Sequence, residues 1–120
     1  MRLHHVQVAC PRGGEDAARR FWTEGLGLSE VPKPADLAGR GGCWFRGGSA
    51  EIHVGVEEPF APARKAHPAL VVDDLDVTAA RLQALDFDVD WTERHTFPGF
   101  ERCHTFDAHG NRVELLSQPR

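Results

Sequence analysis

Hydrophobic and polar residues alternate along the first ten positions of the chain. Val6, Val8 and Cys10 share one side of an extended segment, whereas His5 and Gln7 lie on the other side. Alternation with a period of two residues is typical of a strand that buries one face. The pattern therefore predicts a first strand whose polar side chains point away from the core.

Two later segments show apolar residues at the spacing of an amphipathic helix. One begins at Glu15, after a Pro-Arg-Gly-Gly break, and ends near Gly25; the other follows Asp74 and continues to about Leu85. Acidic residues at the start of each segment suit the positive end of a helix dipole. The apolar stripes comprise Ala17, Ala18, Phe21 and Trp22 in the first helix and Leu75, Ala79 and Leu82 in the second.

The same order of elements occurs twice. Each half predicts a strand, a helix and three further strands, and a proline-bearing linker, 58–66, separates the halves. We therefore predict an α+β fold in a single domain, 1–120, built of two βαβββ modules, about 1–57 and about 67–118, related by a pseudo-two-fold axis. The predicted strands cover 3–10, 28–31, 43–46 and 50–57 in the first module and 67–72, 87–91, 102–106 and 112–117 in the second.

Composition narrows the class of protein. Of the 120 residues, 41% are hydrophobic and 27% are charged, and the formal net charge is −4, as is ordinary for a soluble globular domain. The acidic balance argues against nucleic acid or a membrane surface as partner, because both require clustered lysine and arginine. No apolar run approaches the ~20 residues of a membrane span, and the N-terminus lacks a signal-peptide pattern, so we expect a cytoplasmic protein.

The cysteines exclude one further class of fold. Cys10, Cys43 and Cys103 are odd in number and far apart. Neither a disulfide framework nor a cysteine-based zinc site fits this spacing. We expect three reduced and mostly buried thiols.

Four side chains with metal-binding groups share the side of their strands that opposes the apolar side. His5 and His53 occupy the first and last strands of the first module, and His67 and Glu114 occupy the same strands of the second. His53 follows His5 by 48 residues, and Glu114 follows His67 by 47. A pseudo-two-fold axis would bring all four toward one centre. Because imidazole and carboxylate groups suit Zn²⁺, Fe²⁺, Ni²⁺, Co²⁺ or Mn²⁺, we predict a divalent metal site in which three ligands suffice and His53 is the fourth.

Other residues near this site are candidates for contact with a small-molecule substrate. Gln7 shares a face with His5, and it either touches a substrate or fills the wall of the site. His104 lies in the last hairpin and points either into the pocket or away from it. Trp44 either stacks on a flat ligand or serves as a rim aromatic. Glu51 could act as a base, and Arg46, Arg102 and Arg112 could bind a carboxylate or phosphate of a substrate by bidentate hydrogen bonding. Solvation is the expected state of these four residues and of His4 and His95.

Four segments carry a resemblance to a known superfamily. They read Leu-His-His-Val at 3–6, Ala-Arg-Arg-Phe-Trp-Thr-Glu-Gly-Leu-Gly-Leu at 18–28, His-Pro-Ala-Leu at 67–70 and His-Gly-Asn-Arg-Val-Glu-Leu at 109–115. In these segments, and over essentially its whole length, the chain resembles the vicinal oxygen chelate superfamily. That superfamily includes glyoxalase I, methylmalonyl-CoA epimerase, extradiol dioxygenases, fosfomycin-modifying thiol transferases and bleomycin-binding proteins.

The resemblance implies curved mixed sheets that form a cup, with metal ligands on the first and last strands of each module. These positions match His5, His53, His67 and Glu114 here. His53 departs from the pattern of glyoxalases and epimerases, which often have Glu or Gln at that position.

Two functions are compatible with the resemblance. The first is a divalent-metal-dependent lyase, isomerase, transferase or dioxygenase that acts on a small oxygen-chelating substrate, with Glu114 as its catalytic residue. The alternative is a metal-independent protein of the bleomycin-resistance type that sequesters a drug or metabolite. The complete set of four ligands favours the enzyme.

The resemblance also bears on assembly. In the superfamily, the two modules that enclose a site come either from one chain or from two chains of a swapped dimer. The linker here is short and contains Pro59 and Pro62, which stiffen it. We therefore predict a homodimer in which His5 and His53 of one subunit face His67 and Glu114 of the other.

Overall fold

The eight strands form two separate four-stranded sheets, one from each half of the chain. The structure is a computed structural model and describes residues 1–120. The first module contains β1 (Val6–Cys10), α1 (Glu15–Arg19) with a π-helical extension (Arg20–Gly25), β2 (Ser29–Val31), α2 (Ala35–Ala38), β3 (Cys43–Gly47) and β4 (Ala50–Val56). The second contains β5 (Ala69–Val71), α3 (Leu75–Ala84), β6 (Val89–Asp90), β7 (Glu101–Phe106) and β8 (Arg112–Ser117).

The two sheets have the same topology. Their strand orders are β1-β4-β3-β2 and β5-β8-β7-β6. In each, the first strand is parallel to the last strand of its module, and the other pairs are antiparallel. The predicted α+β fold of two βαβββ modules is therefore confirmed. No helix is long and apolar enough to cross a membrane.

The register of β1 on β4 separates an apolar face from a polar one. Val8 pairs with Val54, and both side chains are buried in the core. One residue away, Gln7 pairs with His53, which pairs in turn with Trp44 on β3. Because side chains alternate across a strand, the polar row lies on the face opposite the core. The predicted faces of these strands are confirmed.

One hydrophobic core joins the two modules. Phe21 of the π-helical extension meets Phe87, which precedes β6, edge to face at a ring separation of 5.1 Å. Arg81 of α3 donates to the carbonyl oxygen of Gly25 at 2.7 Å. Edge-to-face aromatic pairs contribute about 0.5–1.5 kcal/mol beyond the area that they bury. The helical sides of the modules therefore pack against each other.

The linker is bound to both modules. Arg12 donates two hydrogen bonds to the carboxylate of Glu58, each 2.9 Å long. The N–H of Ala63 donates to Asn111 Oδ1, and the carbonyl of Ala63 accepts from the N–H of Arg112, both at 2.9 Å. The linker is thus held close to the start of β8.

Several predicted boundaries are corrected. The ladders of β1 and β5 begin at Val6 and Ala69, so His5 and His67 precede their strands. At β5 the reason is Pro68, which has no N–H to donate. β6 has two residues rather than five, because Phe87 turns toward Phe21. Between the second and third predicted strands, where the sequence analysis places no element, the structure has one helical turn, α2.

Candidate metal centre

A cluster of three potential metal ligands lies on the polar face of the second sheet. Glu114 is in the middle of β8, His104 is its cross-strand partner on β7, and His67 lies two residues before β5. The donor atoms of all three lie within 4.8 Å of one another. His67 Nε2 is 3.0 Å from Glu114 Oε1, and His104 Nε2 is 3.5 Å from the same oxygen. His104 therefore points into the site, which resolves the alternative left open by the sequence.

The hydrogen-bond partners of His67 fit a bound cation. Its Nδ1 lies 2.8 Å from the carbonyl oxygen of Lys65, so this nitrogen must carry the proton. Its Nε2 lies 3.0 Å from a carboxylate oxygen of Glu114. In the neutral ring this nitrogen has a lone pair and would hold a divalent ion together with Glu114, whereas in the protonated ring it donates a hydrogen bond to Glu114. Histidine ligands commonly use their second nitrogen in this way, to bind a carbonyl group.

Glu114 is fixed in its ionised form. Its side chain is only 7% exposed, and its second oxygen lies 3.4 Å from Arg102 Nη1. Burial raises the pKa of this carboxyl, but hydrogen bonds from His67 and Arg102 outweigh burial and leave the pKa below its usual value. The expectation that Arg102 is solvated was wrong: its guanidinium also lies over the ring of Phe97 and is 18% exposed.

A second cluster lies on the polar face of the first module. It comprises His4, His5 and Glu51, again with donor atoms within 4.8 Å of one another. Glu51 accepts a hydrogen bond from Arg46 at 2.9 Å, and its other oxygen lies 2.8 Å from His53 Nε2. These hydrogen bonds, from His53 first and then Arg46, lower the pKa of Glu51. The expected solvation of Glu51 was therefore wrong, because its side chain is 11% exposed and lies between Arg46 and His53, whereas Arg46 is exposed as expected.

His53 lies between two aromatic rings. Its imidazole is parallel to the indole of Trp44 within 3° and to the imidazole of His5 within 17°, with ring separations of 3.9 Å on both sides. Burial lowers the pKa of His53, and its hydrogen bond to Glu51 only partly opposes this effect. His53 is thus held neutral, which is the form that binds metals.

The stack restricts how His5 and His53 can share an ion. A metal lies close to the plane of each imidazole that binds it, and two nearly parallel planes 3.9 Å apart have no such common position. His5 is exposed and precedes β1, so it has room to rotate away from the stack. Joint coordination by these two residues requires that rotation.

The remaining predicted contact residues lie beside the first cluster. Gln7 lies directly over Gly55, where a Cβ atom would come within 2.9 Å of its amide nitrogen. Gln7 and Trp44 line a cavity of about 200 Å³ that Lys33 and Arg40 also border. Trp44 has one ring face covered by His53, and a flat ligand would have to use the other face.

Each cluster belongs to one module. His5 lies in the first cluster and His67 and Glu114 in the second, and no such group combines residues of both. His5 and His67 nevertheless line a common groove of about 640 Å³ that runs past the unpaired edges of β1 and β5. The sequence pointed to Glu51 and Arg102 but did not predict their contacts with His53 and Glu114.

Solved structures of known proteins share the two-module fold of this chain. No protein-family model matches the chain, and no curated protein matches it in sequence. A solved structure assigned to the glyoxalase family, from Bacillus anthracis, is 41% identical over 99% of this chain and 96% of that one, with a TM-score of 0.92. The chain belongs to the glyoxalase family. Its fold is that of the vicinal oxygen chelate superfamily.

More distant structures share the fold of this glyoxalase family member. TnmS3, an antibiotic binding protein from Streptomyces sp. CB03234, is 22% identical, with 99% of both chains covered and a TM-score of 0.71. FosX, a fosfomycin resistance protein from Listeria monocytogenes, is 12% identical over 99% of this chain and 94% of that one, with a TM-score of 0.77. At these identities the likeness concerns the fold alone.

Proposed function

We propose that this protein is a metalloenzyme that binds a divalent cation and acts on a small substrate with two neighbouring oxygen atoms. The observation that carries this proposal is the environment of His67. Both of its ring nitrogens face oxygen atoms, and the carboxylate on one side is buried and ionised. The two side chains are placed to hold a cation together, with Nδ1 of His67 oriented by the carbonyl of Lys65.

Each nearby residue has a role in this proposal. His67, Glu114 and His5 hold the ion, and His53 is the fourth ligand. The ion would act as a Lewis acid that stabilises negative charge on substrate oxygens. Arg102 keeps Glu114 ionised and fixes its orientation through the second carboxylate oxygen. Glu51 is held deprotonated by His53 and Arg46, so it can accept a proton from a bound substrate.

We further propose that the site is completed in a homodimer. Each module holds one cluster, and the groove beside His5 and His67 is open. Exchange of modules between two chains would place His5 and His53 of one subunit opposite His67 and Glu114 of the other. The three buried free thiols suit a reducing compartment, in keeping with a cytoplasmic enzyme.

A metal-independent binding protein is the second candidate. The open groove of about 640 Å³ has the volume of a pocket for a drug-sized molecule. A protein of that kind has no need for two histidines clustered around a buried carboxylate. Metal content therefore separates the two functions.

The decisive measurement is metal analysis of protein purified without a histidine tag. About one equivalent of a divalent metal per chain is expected for the wild type. His67→Ala should weaken metal binding by about 100-fold or more, while circular dichroism shows a folded protein. His95→Ala is the matched control, because His95 is exposed and lies outside both clusters. Metal far below one equivalent, unchanged by His67→Ala, would leave the binding protein as the better proposal.

A further inference from the structure

A second cavity adjoins the cluster of His67, His104 and Glu114. It encloses about 510 Å³ and is bordered by Arg64 from the linker and by Arg112 at the start of β8. His104 lines this cavity and also belongs to the metal cluster, so the two sites share a wall. None of the roles described above uses the two arginines.

Both arginines are free of acidic partners. Neither Arg64 nor Arg112 has a carboxylate oxygen within 4.0 Å, and neither guanidinium donates a hydrogen bond within the protein. Six of the twelve arginines of the chain are paired with carboxylates: Arg12, Arg19, Arg46, Arg94, Arg102 and Arg120. Arg64 and Arg112 are two of the unpaired ones, and they line the same cavity beside the metal cluster.

The backbone holds the two arginines close to each other and to the metal cluster. The N–H of Arg112 donates to the carbonyl of Ala63, which immediately precedes Arg64. Arg112 and Glu114 are two residues apart on β8, so their side chains leave the same face about 7 Å apart. Phe106, the cross-strand partner of Arg112, forms an apolar wall and is 39% exposed.

The other polar groups of the cavity leave its positive charge largely uncancelled. Asp90 is the one acidic residue in the lining, and its carboxylate accepts the N–H of Thr92 at 2.9 Å in its own turn. His104 is 4% exposed and forms the wall toward the metal cluster. The cavity thus presents two guanidinium groups against one carboxylate, and its formal charge is positive.

From these observations we infer that Arg64 and Arg112 bind the acidic group of the substrate, a carboxylate or a phosphonate. This inference rests on the proposed function, because it assigns the substrate class of the same site. The substrate is then a small anion whose acidic group lies beside the oxygens that reach the metal, across the wall formed by His104. Arginine suits this task, since its planar guanidinium makes two parallel hydrogen bonds to an oxyanion.

The test is a titration of the ¹⁵N-labelled full chain with methylphosphonate and, separately, with acetate, followed by amide chemical shifts. Ionic strength is kept at about 0.15 M with sodium chloride, so that non-specific screening is constant. Both metal-free and metal-loaded protein are titrated. The expected result is saturable shifts at Arg64, Arg112 and Phe106, with a Kd in the millimolar range.

Variants assign the binding to the two arginines. Arg112→Gln should weaken the preferred anion at least about tenfold, as expected for loss of a charge-assisted hydrogen-bond pair. Arg64→Gln should weaken it less, and Arg112→Lys should retain part of the affinity. Arg120→Gln is the control, because Arg120 is exposed, pairs with Asp74 and does not line this cavity. The same spectra show whether each variant is folded.

Each outcome decides one point. A preference for methylphosphonate identifies a phosphonate-like group, and a preference for acetate identifies a carboxylate. The inference fails if neither anion saturates, or if Arg112→Gln and Arg120→Gln bind alike. If the protein binds an anion but no metal, the metalloenzyme proposal is rejected and the anion-binding inference is retained. If it binds a metal but no anion, the anion-binding inference is rejected and the metalloenzyme proposal is retained.

Discussion

The imidazole of His53 and the indole of Trp44 lie 3.9 Å apart and within 3° of parallel. This stack places a fluorescent side chain directly against a proposed metal ligand. The other two tryptophans are elsewhere: Trp22 is buried in the core, and Trp91 lies under the guanidinium of Arg94 in the second module. Trp44 can therefore report on the metal site.

We expect Ni²⁺ or Co²⁺ to quench the fluorescence of Trp44 when the site fills, because open-shell ions quench indoles at close range. Titration of metal-free protein should remove one emission component with a midpoint equal to that of metal binding. Trp44→Phe should bind the metal with similar affinity and show no such quenching. Equal quenching in both proteins would mean that the metal binds away from His53.

Mixing two damaged chains tests the swapped homodimer. His5→Ala and Glu114→Gln each remove a ligand from a different module. In a swapped heterodimer, one site contains both damaged residues and the other contains neither, so about half of the metal capacity of each mixed dimer returns. The measurement is metal content after the two variants are unfolded, mixed and refolded together. If both ligands belong to the same chain, mixing restores nothing.

The carboxylate of Glu15 should make stability depend on pH. Glu15 Oε2 accepts the N–H of Gly42 at 3.0 Å, and this bond holds the pKa of Glu15 below its usual value. Gly42 itself has a φ of +80° and leaves no room for a Cβ atom beside Val54, so the loop cannot easily shift. The bond fastens the loop after α2 to the start of α1.

Because the folded pKa of Glu15 is depressed, its contribution is complete above the unfolded carboxyl pKa and disappears as the pH falls through the folded value. Glu15→Gln should lower the free energy of unfolding by about 0.5 kcal/mol at neutral pH, a small effect because the group is partly exposed. Urea unfolding should show the two proteins converging in acid, where Glu15 is protonated. Glu24→Gln, at an exposed position, should show no pH-dependent difference.

The three cysteines should be inert while the protein is folded. Cys10, Cys43 and Cys103 are free and almost fully buried. Burial raises the pKa of Cys43 to about 12 and that of Cys103 to about 11. Since the thiolate is the reactive form, a disulfide reagent at about pH 8 should label none of them until denaturant is added. Rapid labelling of one thiol in native buffer would contradict the burial of that cysteine in its sheet.

The architecture could be predicted from sequence because apolar and polar side chains alternate along strands such as β1 and β4. Ile52 and Val54 are buried and His53 lies on the opposite face, as the alternation predicted. The helix over 75–84 begins after Asp74, whose carboxylate caps the N–H of Val77. These features depend on local spacing, which a single sequence contains.

The detailed contacts of the site depend on relations that local spacing does not determine. The direction of His104 follows from the register of β7 on β8, where it pairs with Glu114, and a slip of one residue would reverse it. Arg102 and Glu51 have long side chains with partners outside their own strands: Arg102 donates to the carbonyl of Glu93 in a loop, and Glu51 accepts from Arg46 on β3. The stack of His5, His53 and Trp44 arises only when three separate segments meet.

The side-chain amide of Asn111 connects the two halves of the chain. It donates to the carbonyl of Ala9 in β1 and to Asp107, and it accepts from the linker at Ala63. A second half expressed alone would lose the bond to Ala9 and would expose Phe87 to water. Although the two modules share one topology, each depends on contacts from the other. A half-length chain should therefore not fold on its own.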